Sequence, residues 1–146
     1  MRITLDTAIL VRTNVKATGP AKELLKTIER SGSVLVLSAF LIREVGRVLK
    51  YPRIQSVYQL TDADIQEHIE YLESLGEIVA PAEGPPIVLK CPDDDPVVYT
   101  ALAGAADVIC TVDRHFYEPN VLQFCSRYGI RIMDDVELLR ILRQET

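Results

Sequence analysis

The chain has 146 residues, 48% of them hydrophobic, with 16 Lys and Arg against 21 Asp and Glu for a net charge of −5. That length suffices for one domain, residues 1–146, with a core that needs no disulfide or structural metal, and the acidic balance argues against a protein that grips nucleic acid through a broad basic face. No apolar run approaches the ~20 residues that span a bilayer, and the start lacks the marks of a secretory signal, so no membrane role is expected.

In chain order, a first strand is expected over Arg2 to Leu5, then a short helix through Ala8-Ile9-Leu10-Val11. Gly19-Pro20 breaks the chain and opens a second helix, where Leu24, Leu25 and Ile28 form an apolar stripe at helical spacing. Val34-Leu35-Val36-Leu37 is a continuous apolar run, as expected of a strand covered on both faces. Ser38 is a good N-cap for a helix running from Ala39 towards Lys50 and stopping before Pro52. Thr61 to Asp64 has the pattern of a capping box, with Ile65, Ile69 and Leu72 behind it on one face and Gly76 to close the helix.

A third strand follows at Glu77-Ile78-Val79-Ala80, and Pro81 to Pro86 reads as a loop. Asp93-Asp94-Asp95-Pro96 opens a helix, with Pro in its first turn, that feeds a strand over Val108 to Val112. A helix through Val121 to Tyr128, a strand at Ile130 to Met133 and a helix from Val136 to Leu142 complete the pattern. Five strands separated by helices predict a three-layer α/β/α fold with a mainly parallel five-stranded sheet.

Cys91, Cys110 and Cys125 are odd in number and lack C-x-x-C spacing, which points away from a disulfide framework and towards a reducing cytoplasm. His68 and His115 have no second His or Cys at ligand spacing, and both are expected at the surface.

Four acids carry the chemical signal. Asp6 and Asp113 each follow an apolar strand, and in an open parallel sheet the strand carboxyl ends line the crevice where ligands bind. Glu44 falls on the same helical arc as Phe40, Leu41, Val45 and Val48, where a carboxylate is costly unless paired or bound. Asp94 sits at a helix start. Gathered carboxylates repel one another unless a hard divalent cation lies between them, which points to Mg²⁺ or Mn²⁺. Each acid also has a plain structural role open to it. Asp6 is a natural N-cap, Glu44 has Arg43 and Arg47 for an ion pair, Asp113 is placed to cap a turn, and Asp95 before Pro96 is the best of the three aspartates for a helix cap. Phosphate-binding loops, a dinucleotide fingerprint and a hydrolase serine elbow are absent from the sequence. A phosphoryl-accepting receiver would need paired acids at the first strand and a late strand-end Lys, and neither is evident.

The pattern resembles the PIN domain, a family of metal-dependent nucleases that includes the VapC-like toxins of toxin–antitoxin pairs. The resemblance rests on Ile3-Thr4-Leu5-Asp6-Thr7, on Leu41-Ile42-Arg43-Glu44-Val45, and on Cys91-Pro92-Asp93-Asp94-Asp95 running on to Thr111-Val112-Asp113-Arg114-His115-Phe116. It implies that Asp6, Glu44, Asp94 and Asp113 are catalytic residues holding one or two Mg²⁺ or Mn²⁺ ions, with Asp95 as an alternative to Asp94 and Thr7 and Thr111 orienting ligands or waters. It further implies an endoribonuclease acting on RNA, the toxin of a toxin–antitoxin pair, with a cognate antitoxin and a homodimer. The apolar helices near Leu24 and Leu72 would supply a partner surface or be ordinary core. Arg43, Arg47, Arg114 and His115 are the nearest groups in sequence for phosphate contact. The rival expectation is a catalytically silent PIN-like module that binds RNA or protein.

Overall fold

Strands apolar on both faces, and helices with one apolar stripe, bury themselves only by stacking in layers. The computed structural model describes residues 1–145. Its strands are β1 (Arg2–Leu5), β2 (Val34–Ser38), β3 (Glu77–Val79), β4 (Val108–Cys110) and β5 (Arg131–Met133). Its helices are α1 (Thr7–Val11), α2 (Pro20–Ser31), α3 (Ala39–Leu49), α4 (Pro52–Tyr58), α5 (Asp62–Leu75), α6 (Asp95–Ala103), α7 (Pro119–Arg127) and α8 (Asp135–Glu145), with 3₁₀ turns at Pro92–Asp94 and Arg114–Tyr117. The strands form one all-parallel sheet in the order β3-β2-β1-β4-β5, the centre of the expected three-layer α/β/α fold.

The strand order places the functional edge. From β1 the chain moves outward to β2 and β3, then returns to the far side of β1 for β4 and β5. Crossovers diverge between β1 and β4, and such a switch point opens a crevice at the strand carboxyl ends. Ile3, Thr4 and Leu5 pair with Val108, Ile109 and Cys110, so the next residues, Asp6 and Thr111, stand side by side.

Local chemistry explains most boundaries. Thr61 and Asp64 close a reciprocal capping box at 2.9 and 3.0 Å, and Ser38 caps α3 through the Leu41 N–H. Gly104, after α6, lies against β2: a Cβ there would meet Val36 Cγ1 at 2.1 Å, so any side chain would force Val36 or the helix end to shift.

The structure departs from the sequence reading at several points. Pro52 does stop α3, but it also begins α4 at its first position, where its missing N–H costs nothing. β4 ends at Cys110 rather than Val112; beyond it the Thr111 N–H still donates to the Met133 carbonyl at 3.0 Å, while Val112 is exposed. The aspartate run does not open a regular helix: Pro92–Asp94 is a tighter 3₁₀ turn, and α6 starts at Asp95. His68, expected at the surface, is 1% exposed, and its ring nitrogen Nε2 lies 3.1 Å from Thr13 Oγ1. It belongs to the inward face of α5 with Ile65 and Leu72. Leu24 and Leu72 are fully buried core and offer no partner surface. No helix among the described residues is long and apolar enough to cross a membrane.

Candidate active site

Asp6 leaves the end of β1 as the N-cap of α1, accepting from the Thr7 N–H at 2.7 Å. Its second oxygen accepts from the Thr111 hydroxyl at 2.8 Å. The capping role and the place at the sheet edge therefore belong to one residue. Thr111 Oγ1 also accepts from the Asp113 N–H at 3.0 Å, and Asp113 in turn caps the 3₁₀ turn by accepting from the His115 N–H at 2.9 Å.

Glu44 resolves differently from the sequence reading. The core side of α3 is Leu41, Val45 and Leu49, all fully buried, whereas Phe40, Glu44 and Val48 form a neighbouring stripe that walls a cleft. Glu44 is thus not embedded in the core face. Its side chain is 28% exposed and pairs with Arg47 at 2.6 Å, the plain structural role open to it. That guanidinium, hydrogen-bonded to the carboxylate, lowers the Glu44 pKa.

Asp94 and Asp95 point to different places. Asp95 accepts from the Ile87 and Val88 N–H groups at 3.1 and 2.7 Å, pinning the loop before it, and does not cap α6. Asp94 lines the cleft, and its Oδ2 is buried with no hydrogen-bond partner. One cleft of about 260 Å³ is lined by Asp6, Glu44, Asp93, Asp94 and Asp113, with Thr7 and Phe40 among its walls. Acids that are distant in sequence, from β1, α3, the turn before α6 and the end of β4, share this space.

Electrostatics show the cost of gathering them. Burial raises the Asp6 pKa against the hydrogen bonds from Thr111 and Thr7, and the Asp113 charge adds to the rise. Burial pushes Asp94 up to about 6, and the charges of Asp113 and Asp6 push the same way. Both carboxylates are held in a place that disfavours their charged form. A bound divalent cation would reverse that penalty, and an oxygen donor set suits a hard one. The unpartnered Asp94 Oδ2 is the free lone pair such an ion requires.

The family model described as PIN domain matches residues 2–115, which spans both acid-bearing sheet ends and most of the chain. The chain belongs to the PIN domain family. No curated protein and no solved structure gave a match. PIN domains are generally nucleases that use divalent metals, so membership places this chain in a nuclease-type, hydrolase class. The match starts in β1 and ends at His115, beside Asp113 of the acidic cleft.

Two residues of this PIN domain's site take a place that the sequence reading did not give them: His115 is expected only as a surface group near phosphate, and Cys91 only as part of the motif before Asp94. His115 is part exposed, as expected, but its Nδ1 stands 3.2 Å from Asp113 Oδ1 and 3.8 Å from Asp94 Oδ2. Cys91 precedes the 3₁₀ turn and lies beside Asp94. What the sequence signals for both is proximity to Asp94 and Asp113, and that does not show their donor atoms converging on Asp94. Arg43, meanwhile, lines an adjoining groove of about 730 Å³ together with Phe40 and Tyr99.

Proposed function

We propose that this chain is a Mg²⁺- or Mn²⁺-dependent endoribonuclease in which Asp6, Glu44, Asp94 and Asp113 hold the metal and carry catalysis. The observation that supports this reading most is the convergence of the four carboxylates in one cleft at the sheet's switch point. Phosphodiester hydrolysis needs an attacking water, screening of the phosphate charge and support for the leaving oxygen, and carboxylate-bound divalent ions supply all three.

The protein's own contribution is positioning. Thr7 and Thr111 hold Asp6 by two hydrogen bonds, and Thr111 ties Asp113 to the same point, so the two strand-end carboxylates keep their orientation before any ligand arrives. Asp94 stays free of hydrogen bonds at Oδ2 and faces them as the third ligand. Glu44, which lines the same cleft and pairs with Arg47, would orient the attacking water or help hold a second ion. The adjoining groove offers the Arg43 guanidinium to a phosphate and the Phe40 and Tyr99 rings to unpaired bases, which favours a single-stranded segment of RNA.

The role as toxin of a toxin–antitoxin pair, a cognate antitoxin over the cleft, a homodimer and a cytoplasmic setting follow from the VapC-like resemblance. With Leu24 and Leu72 in the core, a partner surface would draw on exposed apolar residues such as Ile78 and Val57.

The deciding experiment is cleavage of mixed structured RNA with Mg²⁺ or Mn²⁺ by wild type, wild type with EDTA, and Asp94→Asn. Cleavage lost in both controls supports the enzyme. No cleavage by antitoxin-free wild type with either metal would leave the silent binding module as the reading.

A further inference from the structure

A second group of ligating side chains adjoins the acidic cleft, with different chemistry. Cys91, Asp94 and His115 each offer one donor atom, a sulfur, a carboxylate oxygen and a ring nitrogen, and these atoms all lie within 4.8 Å of one another. Backbone geometry accounts for the first two. Residues at i and i+3 of a 3₁₀ turn eclipse, and the turn over Pro92–Asp94, with the Asp94 N–H on the Cys91 carbonyl at 3.0 Å, sets Cys91 and Asp94 on one side. The third comes from the turn after β4, where Asp113 accepts the His115 N–H.

These groups meet chiefly one another: the Cys91 thiol hydrogen-bonds Asp94, and His115 lies within ion-pair distance of Asp94 and Asp113. Cys91 is a free thiol. His115 Nδ1 and Asp94 Oδ2 are buried atoms without a hydrogen-bond partner, although they stand 3.8 Å apart. His115 Nδ1 is near Asp113 Oδ1 at 3.2 Å, but no hydrogen bond forms there either. An open lone pair, an imidazole nitrogen and a thiol left facing one another are the donor set of a three-ligand site that keeps one position open.

We infer that Cys91, Asp94 and His115 form a binding site for a thiophilic divalent ion of the zinc class, sharing Asp94 with the all-oxygen acidic centre. Sulfur and imidazole select Zn²⁺ or Co²⁺ and are poor ligands for Mg²⁺, so the two sites differ in the ion they take. Bonds of ~2.0–2.3 Å leave tetrahedral donors ~3.3–3.8 Å apart, so side-chain closure of about an ångström completes the site. Because Asp94 belongs to both, Zn²⁺ at this site withdraws a ligand from the acidic centre. It therefore inhibits Mg²⁺-driven cleavage, a consequence that rests on the nuclease reading.

The test is a Co²⁺ titration of the reduced full chain, read by the thiolate-to-cobalt charge-transfer band in the near ultraviolet. Wild type, Cys91→Ser and His115→Gln are compared, with circular dichroism to verify folding. About one equivalent of Co²⁺ is expected to raise the band in wild type, Zn²⁺ to displace it and Mg²⁺ to leave it unchanged. Cys91→Ser should lack the band, and His115→Gln should bind roughly tenfold more weakly or worse. Cys110 and Cys125 are fully buried and do not confuse the readout. A folded wild type without the band, or a band that survives in Cys91→Ser, overturns the site. Neither result touches the nuclease reading, because no RNA is involved. If the band forms but Zn²⁺ fails to slow Mg²⁺-driven cleavage, the sharing of Asp94 is overturned.

Discussion

The Thr111 hydroxyl donates to Asp6 Oδ2 at 2.8 Å across a sequence separation of 105 residues. Both side chains are buried, and the β1–β4 register is what sets them opposite each other. Thr111→Val keeps the shape of the side chain but removes the hydroxyl, leaving the Asp6 oxygen and the Asp113 N–H without that partner at a cost of about 1–3 kcal/mol. We expect a lower urea midpoint and, with Asp6 no longer fixed, at least about a tenfold loss of cleavage. Thr111→Ser should recover most of both. A Thr111→Val protein as stable as wild type would show that the two hydroxyl bonds contribute nothing.

Asp94→Asn should separate stability from activity. Burial, Asp113 and Asp6 hold the Asp94 pKa at about 6, so its charge is a penalty in the metal-free protein. Removing the charge is expected to raise metal-free stability by about 1 kcal/mol, a figure reduced for the partial exposure of the group, and the melting temperature by a few degrees. Cleavage should vanish in the same protein. If differential scanning calorimetry showed a lower melting point for Asp94→Asn, the repulsion argument would fail.

The same shift sets a pH dependence. Because the folded pKa of Asp94 lies above its ordinary value of 3.8, the folded chain holds a proton that the unfolded chain lacks between about 3.8 and 6. The contribution of Asp94 to metal-free stability therefore grows as pH falls through 6, while its carboxylate becomes less available to a cation. Apparent Mn²⁺ affinity should fall about tenfold between pH 7.5 and pH 5. Thermal shifts on adding Mn²⁺ at the two pH values measure this, and equal shifts would remove Asp94 from the ligand set.

His68 works in the opposite sense. Burial holds its pKa down at about 4, against an ordinary value of 6.5. Between these values the unfolded chain takes up a proton that the folded chain refuses. Its contribution is therefore fully present above 6.5 and is lost as pH falls towards 4, by up to about 3 kcal/mol. His68→Gln retains a partner for Thr13 without titrating. Urea midpoints at pH 7.5 and 4.5 should drop further for wild type than for His68→Gln, and parallel drops would contradict the assignment.

Asp95→Ala distinguishes the two neighbouring aspartates. It removes both hydrogen bonds to the Ile87 and Val88 N–H groups, so the segment before the 3₁₀ turn should open more readily, at about 1–2 kcal/mol. Limited proteolysis within Pro81–Cys91 should accelerate while Mn²⁺ binding persists. Loss of Mn²⁺ binding in a folded Asp95→Ala would reassign the ligand.

Much of the architecture was legible in local pattern. The apolar runs at β1, β2 and β4 and the capping box at Thr61 named their elements, because alternation, helical stripes and cap chemistry act over a few residues. α4 was not legible, since its seven residues set only Ile54 and Tyr58 part-buried against the core, too short a stripe to read. His68 was misread as a surface residue because its partners, Thr13 above all, come from a distant part of the chain.

The sequence by itself determined that this is a parallel α/β chain with acids at its strand ends, and its family followed from those motifs. Tertiary structure decided what the acids face. It turned Glu44 to a cleft wall beside Arg47 rather than into the core, aimed Asp94 into the cleft and Asp95 at the Ile87–Val88 backbone, and brought Cys91 and His115 to Asp94. The reason is physical. Helical and strand periods encode which face of an element is buried, but convergence of side chains depends on strand register and on how tightly a turn is wound, and long-range packing sets both.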